Sequence, residues 1–226
     1  MKNILRPLCP ETQRSLWLLA YWPLYGAAFY FAEEFFRPAR YHVMHCALDD
    51  LVPFCEFFLI PYLFWFIYLV GIHVYTFFHD QRAFQRLMLF IILSYTIGLL
   101  FFFLYPTVQF LRPATFPRDN LFTQGVAAFY RTDTNTNVCP SLHVVGSMAV
   151  FYAARDTDLF RRRGWRSFFY IVTFLICIST VFLKQHSVID VAVGMLVSWS
   201  VSGIVYRKED VRLPAQAYHR KRKISY

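Results

Sequence analysis

Long apolar segments constrain the fold of this chain more than any other feature. A helix that crosses the hydrocarbon core of a bilayer needs about 20 predominantly apolar residues. Six segments approach that length, at approximately 16–36, 53–78, 87–105, 140–154, 167–183 and 187–206. Pro61 lies inside the second segment and predicts an interruption there, and the fourth segment is short. The sequence therefore predicts an all-α integral membrane protein with six transmembrane helices.

The composition supports a single membrane domain over residues 1–226. Hydrophobic residues make up 57% of the chain and charged residues only 16%, whereas a soluble domain carries about a quarter charged residues. The formal net charge is +9, but the basic residues cluster between apolar segments, which favours a membrane partner and argues against nucleic acid. The five cysteines form no C-x-x-C pair, so we expect neither a disulfide framework nor a zinc site.

The basic residues between the segments predict the orientation of the protein. If six helices alternate in direction, four basic clusters fall on one side of the membrane, which the positive-inside rule identifies as the cytoplasm. The clusters are Lys2, Arg6 and Arg14; Arg82 and Arg86; Arg155, Arg161, Arg162, Arg163 and Arg166; and the tail at 207–226. We therefore expect a plasma-membrane protein with both termini in the cytoplasm and a basic cytoplasmic tail against anionic lipid.

Two short motifs fall on the opposite, outer side, C-P-S-L-H at 139–143 and K-Q-H-S-V-I-D at 184–190. His186 and Asp190 are one helical turn apart and share a face. An aspartate bound to one imidazole nitrogen fixes the tautomer and leaves the other nitrogen free to attack phosphorus. The alternative is a polar pair that caps a helix in the headgroup zone. Ionisable residues in a spanning segment favour the functional interpretation.

The first motif has the features of an anion-binding helix start. Pro140 suits the first turn of a helix, and the free amides there favour an anion. Ser141 adds a hydroxyl donor, and His143 is placed to protonate a leaving oxygen as a general acid. Arg112 and Lys184 lie in outer connections and supply cations for the phosphoryl oxygens. The alternative is an ordinary helix cap with an interfacial histidine.

The order of Arg-Pro, P-S-x-H and H-x-x-x-D at helix ends resembles the type-2 phosphatidic acid phosphatase superfamily of six-helix membrane enzymes. The resemblance covers residues 105–194. It implies that His143 is the general acid, His186 the nucleophile and Asp190 the carboxylate that orients it. It also implies that no metal or other cofactor is needed. The residues that it implies for phosphate binding are Arg112 and Ser141.

Three positions depart from the pattern of that superfamily. Tyr105 and Thr180 stand where its members have a lysine and an arginine, and Leu142 replaces the glycine of P-S-G-H. We expect Lys184 to replace one of the missing charges from the turn. The altered motifs look more like the branch of inositol phosphorylceramide synthases and sphingomyelin synthases, which pass a phospho-headgroup from a lipid to an alcohol.

Four functions remain open from the sequence. The leading hypothesis is hydrolysis of a lipid phosphate or diphosphate at the outer face through a phosphohistidine. The second is phospholipid headgroup transfer by the same histidine, the third a proton-coupled transporter and the fourth an inactive scaffold. A further outer group at 42–50 has an H-x-x-H pattern with nearby aspartates. It invites a metal interpretation, which we reject in favour of headgroup contact.

Overall fold

The computed structural model describes residues 10–207, which form helices joined by shorter elements. The helices are α1 (Pro10–Leu19), α2 (Tyr21–Glu34), α3 (Ala47–Leu51), α4 (Leu59–His79), α5 (Gln81–Leu104), α6 (Leu121–Thr132), α7 (Leu142–Asp156), α8 (Arg163–Phe182) and α9 (Val188–Val205). Two 3₁₀ turns, Glu56–Phe58 and Asp158–Arg161, and two strands, β1 (His42–Val43) and β2 (Thr107–Val108), complete them. Lys2, Arg6 and the basic tail from 208 onward lie outside the described residues.

Four helices within residues 10–207 are long and apolar enough to cross a membrane. They are the continuous stretch Glu56–His79, which includes α4, and the helices α5, α8 and α9. The other two predicted segments correspond to α1 with α2 and to α7. These helices have 10, 14 and 15 residues, which is short for a span. The structure therefore shows a helical membrane protein with four helices of spanning length.

Two prolines affect the helices in ways that the sequence analysis does not predict. The segment 16–36 is not one helix, because the chain turns at Ala20 between α1 and α2. Pro23 explains this break, since it has no N–H for the carbonyl of Leu19 and its ring would clash there. Pro61, by contrast, does not interrupt α4, so that expectation was wrong. It is the third residue of the helix, where an N–H has no intrahelical partner.

The short helix α7 is the centre of the bundle. It packs against α4, α5, α8 and α9, and more than half of its residues are buried. Its buried face is built from small and β-branched residues, which allow neighbouring backbones to approach closely. These residues are Val144, Val145, Gly146, Ser147, Ala149, Val150, Ala153 and Ala154. Because α7 is enclosed by other helices, its position depends on packing and less on contact with lipid.

The outward faces of the surrounding helices are apolar. Large side chains on α4, α5, α8 and α9 are exposed although the protein core lies on their other side. Examples are Ile67, Val70, Leu100, Ile171, Phe174, Leu196, Trp199 and Ile204. An exposed apolar surface of this extent indicates contact with a membrane. Several buried hydroxyls inside the bundle donate to carbonyls of their own helix, as Ser94 does to Phe90, and need no water as a partner.

A layer formed by α3, α6 and the β1–β2 pair, called the outer layer below, covers the end of the bundle where α7 and α9 begin. β1 pairs with β2 in parallel, and Val108 forms an antiparallel bridge with Thr136. The carboxylate of Glu33 at the end of α2 accepts hydrogen bonds from Thr134, Thr136 and Asn137. These contacts fix the segment that leads into α7, and thereby the position of the first motif.

Candidate active site

The two motif histidines line one cavity under the outer layer. The cavity has a volume of about 310 Å³, and the ring centroids of His143 and His186 lie 6.1 Å apart. Aromatic side chains form a large part of its wall, including Tyr62, Trp65 and Tyr95. Residues more than 40 positions apart in the sequence are thus brought together around one space.

Close packing of α7 against α9 brings the motifs together. The backbone N–H of Ser141 donates to the carbonyl of Asp190 at 3.1 Å. Near this contact, Gly194 leaves room for the neighbouring helix: a Cβ there would lie 3.1 Å from the Ser141 carbonyl oxygen and 3.2 Å from Val144. The glycine therefore sets the distance between the helices that carry His143 and His186.

Asp190 lies behind His186 at the start of α9. Its Oδ2 is 3.5 Å from Nδ1 of His186 and accepts a hydrogen bond from the backbone N–H of Ser187 at 2.9 Å. Its Oδ1 is buried without a partner within the described residues. Nδ1 of His186 has no hydrogen-bond partner within the described residues, so the two groups lie close together without forming a hydrogen bond in this structure. Hydrogen bonds of catalytic groups often tighten only when substrate binds. The arrangement directs Nδ1 of His186 toward the carboxylate and leaves Nε2 for the cavity.

His143 lies among aromatic rings. Its imidazole stacks on Tyr62, with centroids 4.2 Å apart, and lies 4.5 Å from the ring of Trp65. Its Nε2 is buried and has no hydrogen-bond partner among residues 10–207. The bulky Leu142 beside it is accommodated by Gly98 of α5, where a Cβ would lie 3.2 Å from the leucine side chain. The larger residue thus leaves the histidine in the cavity wall.

Ser141 is the N-cap of α7 but makes no side-chain cap hydrogen bond. The residue is fully buried, and its Oγ has no partner in the part of the chain that the structure describes. Ser141 lies behind the cavity, whose wall its neighbours Pro140 and Leu142 help to form. The structure therefore does not bring this predicted phosphate ligand into direct contact with the space between the histidines.

The guanidinium of Arg112 is bound to protein oxygens. It donates to the carbonyls of Tyr130, Asp133 and Thr134 and, at 2.7 Å, to Oε1 of Gln185. Arg112 therefore ties the outer loop after α6 to the turn that carries His186. It does not itself line the cavity, so the structure does not bring this predicted phosphate ligand into direct contact with the space between the histidines.

Lys184 lies in the turn between α8 and α9 and also contacts carbonyls. Its Nζ donates to the carbonyl oxygens of Asp49 and Val52. The backbone of Lys184 has φ of 53°, and the amides of Lys184 and Gln185 donate to the carbonyls of Val181 and Thr180. This is the Schellman end of a helix, in which glycine is the usual left-handed residue. The ammonium fixes the turn and does not line the cavity.

Asp49 is a residue of this region that the sequence did not single out for a role at the site. It is buried, and its carboxylate accepts from the hydroxyl of Ser187 at 2.6 Å and from the amides of Val188 and Cys46 at 2.8 Å each. Burial alone raises the pKa of Asp49, but these hydrogen bonds together outweigh it and hold the pKa below its usual value. Asp49 thus caps α9 from the outside, directly after His186. In the sequence, Asp49 is distinguished only by its place near the H-x-x-H pattern at 42–45.

The cavity wall carries carboxylates and an amide for which the sequence predicted no role. Glu33 and Asp133 both line it, as does Gln185. Two positions that hold a lysine and an arginine in the superfamily that the sequence resembles hold neutral residues here, and both make structural contacts. Tyr105 stacks on His42, with centroids 3.8 Å apart, and Thr180 donates to the carbonyl of Cys177 in its own helix. The surroundings of the histidines are therefore less cationic than the sequence prediction assumed.

The sequence model of the PAP2 superfamily matches residues 85–213, which is more than half of the chain. The chain belongs to the PAP2 superfamily. No curated protein and no solved structure matches the chain significantly. The matched region of this PAP2 protein contains both motifs, and with them the cavity residues His143 and His186.

Membership in the PAP2 superfamily indicates the class of chemistry. Its members are phosphatases or phosphotransferases. The family is also associated with lipid phosphate substrates and with membranes. Together with the four helices of spanning length, this identifies a membrane-associated PAP2 enzyme.

Proposed function

We propose that this protein hydrolyses a lipid phosphate or diphosphate through a phosphohistidine on His186. The observation that carries the proposal is the cavity in which the rings of His143 and His186 face each other at 6.1 Å, with Asp190 behind His186. The roles follow from these surroundings: His186 has the carboxylate that orients a nucleophile, and His143 stands across the cavity from it.

The proposed reaction has two displacements. Nε2 of His186 attacks phosphorus, the bond from phosphorus to the ester oxygen breaks, and protonated His143 gives its proton to the leaving oxygen. Water then attacks the phosphohistidine, His143 takes a proton from it, and the P–N bond breaks to release phosphate. Asp190 stabilises the positive charge that develops on the His186 ring. None of these steps requires a metal ion.

A second candidate is transfer of a phospho-headgroup to an alcohol, as in the inositol phosphorylceramide and sphingomyelin synthases that the motifs resemble. The acidic cavity wall favours it: Glu33 and Asp133 line the space, whereas the cations of Arg112 and Lys184 are bound to protein oxygens. A phosphodiester carries one negative charge and a terminal phosphate nearly two, so a diester is repelled less.

We also propose that the site opens on the outer face of the membrane and that α1 with α2 and α7 complete a six-span topology. Both motif helices begin beneath the same outer layer, and the basic residues after α7 lie at its opposite end. The positive-inside rule then assigns the basic end to the cytoplasm.

Phosphate release from defined lipids tests this function. We would incubate the purified protein in detergent with phosphatidic acid and isoprenyl diphosphate, without added metal, beside His186→Ala and the control His79→Ala, an exposed histidine at the end of α4. We expect release by the wild type and the control, and a loss of about a thousandfold or more in His186→Ala. If the wild type releases no phosphate but moves a headgroup from a phospholipid to inositol, diacylglycerol or ceramide, the transferase is correct.

A further inference from the structure

Gln185 presents a buried amide group to the cavity. The residue is 3% exposed and lines the cavity with His143 and His186. Its Nε2 has no hydrogen-bond partner among residues 10–207. An amide nitrogen that is buried without an acceptor is unfavourable, and such groups in a native structure call for an explanation. A ligand oxygen in the cavity supplies the missing acceptor.

Arg112 determines which end of this amide faces the cavity. A guanidinium has only donors, so the group that accepts its hydrogen bond at 2.7 Å is Oε1 of Gln185. The NH₂ group must then point the other way. Arg112 is itself held by the carbonyls of Tyr130, Asp133 and Thr134. The amide is therefore oriented before any substrate arrives, and the positive charge behind Oε1 polarises it as a donor.

The turn between α8 and α9 explains how consecutive side chains reach the same cavity. The amides of Gln185 and His186 both donate to the carbonyl of Thr180, and Lys184 is in the left-handed region. The chain is thus folded back tightly, and Gln185 and His186 both line the cavity. Because both side chains border the same cavity, a phosphoryl group within reach of His186 occupies the space that the Gln185 amide lines.

We propose that Gln185 binds substrate by donating a hydrogen bond from Nε2 to a non-bridging oxygen of the phosphoryl group that His186 attacks. Arg112 is then a positioning residue that acts on substrate through this amide. The inference rests on the proposed function and assigns the oxygen-binding group for that same site. A neutral donor at this place compensates in part for the neutral residues at Tyr105 and Thr180.

Orthovanadate is the probe for this role, because it mimics the transferring phosphoryl group. We would measure its inhibition constant, and the rise in melting temperature that it causes, for wild type, Gln185→Leu and Gln185→Glu. The glutamate variant keeps an acceptor for Arg112 but has no donor and adds a negative charge. The control is Gln85→Leu. Gln85 is a half-buried glutamine of α5 whose amide donates to the hydroxyl of Ser15, and it does not line the cavity.

We expect Gln185→Leu to raise the inhibition constant about tenfold to a hundredfold, Gln185→Glu to raise it at least as much, and Gln85→Leu to leave it within about twofold. The melting-temperature response to vanadate should weaken in the same order, also in variants too slow to assay. An unchanged constant in both Gln185 variants, or an equal rise in Gln85→Leu, overturns the role of Gln185. A wild type that neither turns over nor responds to vanadate contradicts the proposed function itself.

Discussion

The two histidines of the cavity differ in their surroundings, and this difference assigns their roles. His186 has a buried carboxylate 3.5 Å from Nδ1, whereas the ring of His143 stacks on Tyr62. A carboxylate stabilises a cationic ring and therefore suits the nucleophile, which becomes positively charged on attack. His143 lies across the cavity from His186, and we assign it the proton transfer to the leaving group and then from water.

The role of His143 predicts a dependence on the leaving group. In His143→Ala we expect hydrolysis of an alkyl phosphate to fall about a hundredfold to ten-thousandfold, because the alkoxide leaves without a proton. With p-nitrophenyl phosphate the first step should stay fast, since nitrophenolate needs no acid, and only the water step should be slow. Stopped-flow absorbance should show a burst of nitrophenolate. Equal losses on both substrates, without a burst, would argue against a general acid.

At this scale the sequence singled out the two histidines that line the cavity, but it indicated neither their neutral partners nor the contacts of the basic residues. His143, His186 and Asp190 stand in short motifs at the ends of apolar segments. Ionisable side chains are uncommon there unless they have a function. The role of Gln185 depends on Arg112, which is 73 positions away. No local pattern reveals such a contact. Lys184 was predicted to bind phosphate because only its position was visible, whereas the structure places its ammonium on two carbonyls.

Among the elements, the turn between α8 and α9 is held from outside by α3. Asp49 accepts hydrogen bonds from the start of α9, and its own carbonyl accepts one from Lys184. Negative charge at a helix N-terminus is also favoured by the helix dipole. The two residues therefore clasp the turn that carries His186, and a loss of either should loosen it.

Asp49→Asn should lower stability in a pH-dependent way. Hydrogen bonds hold the folded pKa of Asp49 below its usual value despite burial, so the stabilisation is present at neutral pH and is lost as pH falls through the folded pKa. We expect a cost of about 1–3 kcal/mol at pH 7, and a smaller difference from wild type below about pH 4. Melting temperatures in detergent across pH would measure it.

Asp50→Asn is the control for this experiment. Asp50 is the next residue in the chain, but its side chain is 65% exposed and pairs with an exposed histidine. Exposed pairs of this kind contribute little to stability, so this variant should melt close to wild type at every pH. Equal behaviour of the two variants would show that Asp49 does not hold the turn.

The contact between α7 and α9 predicts a second pair of variants. In Gly194→Ala the new methyl group would lie 3.1 Å from the Ser141 carbonyl and 3.2 Å from Val144, so we expect a loss of about 1–3 kcal/mol and slower turnover as the histidines separate. Gly203→Ala adds the same group on the same helix in open space. It should leave turnover unchanged and should not lower stability, because alanine favours a helix more than glycine does. Assays of turnover and thermal unfolding would compare them. Full activity in Gly194→Ala would contradict this spacing role.

The bounds of the helices in the last three apolar segments were predicted closely. α7, α8 and α9 begin and end within a few residues of the predicted segments, whereas α5 starts earlier, because Asp80 caps it by accepting from Ala83. The outer elements α3, α6 and the β1–β2 pair were treated as connections. Their residues form tertiary hydrogen bonds between distant segments, and such contacts leave no period in the sequence.

For the whole molecule, the proposed orientation can be tested by labelling. The loop between α7 and α8 and the outer layer lie at opposite ends of the bundle. In a background without Cys9, Cys46 and Cys55, we expect Asp119→Cys in the outer layer to react with an impermeant maleimide in intact cells. Asp158→Cys in the α7–α8 loop should react only after permeabilisation. The reverse pattern would contradict the proposed outer site.

The sequence placed both motifs at one end of the bundle, because charge in the connections and the number of apolar segments together determine which ends meet. The structure brings the same motifs into one cavity. It also shows a feature that the number of apolar segments does not predict. α7 is short and central, so the bundle is arranged around the helix that carries His143. Hydropathy describes contact with lipid and says little about a helix enclosed by others.

The central claim is covalent phosphorylation of His186. We would mix His143→Ala with p-nitrophenyl phosphate, because the missing base in the water step should let the intermediate accumulate, then quench at alkaline pH and map the phosphoryl group by mass spectrometry. We expect it on His186, and none in a variant that also carries His186→Ala. A phosphoryl group on another residue, or a nitrophenolate burst without any phosphorylated enzyme, would contradict the proposed mechanism.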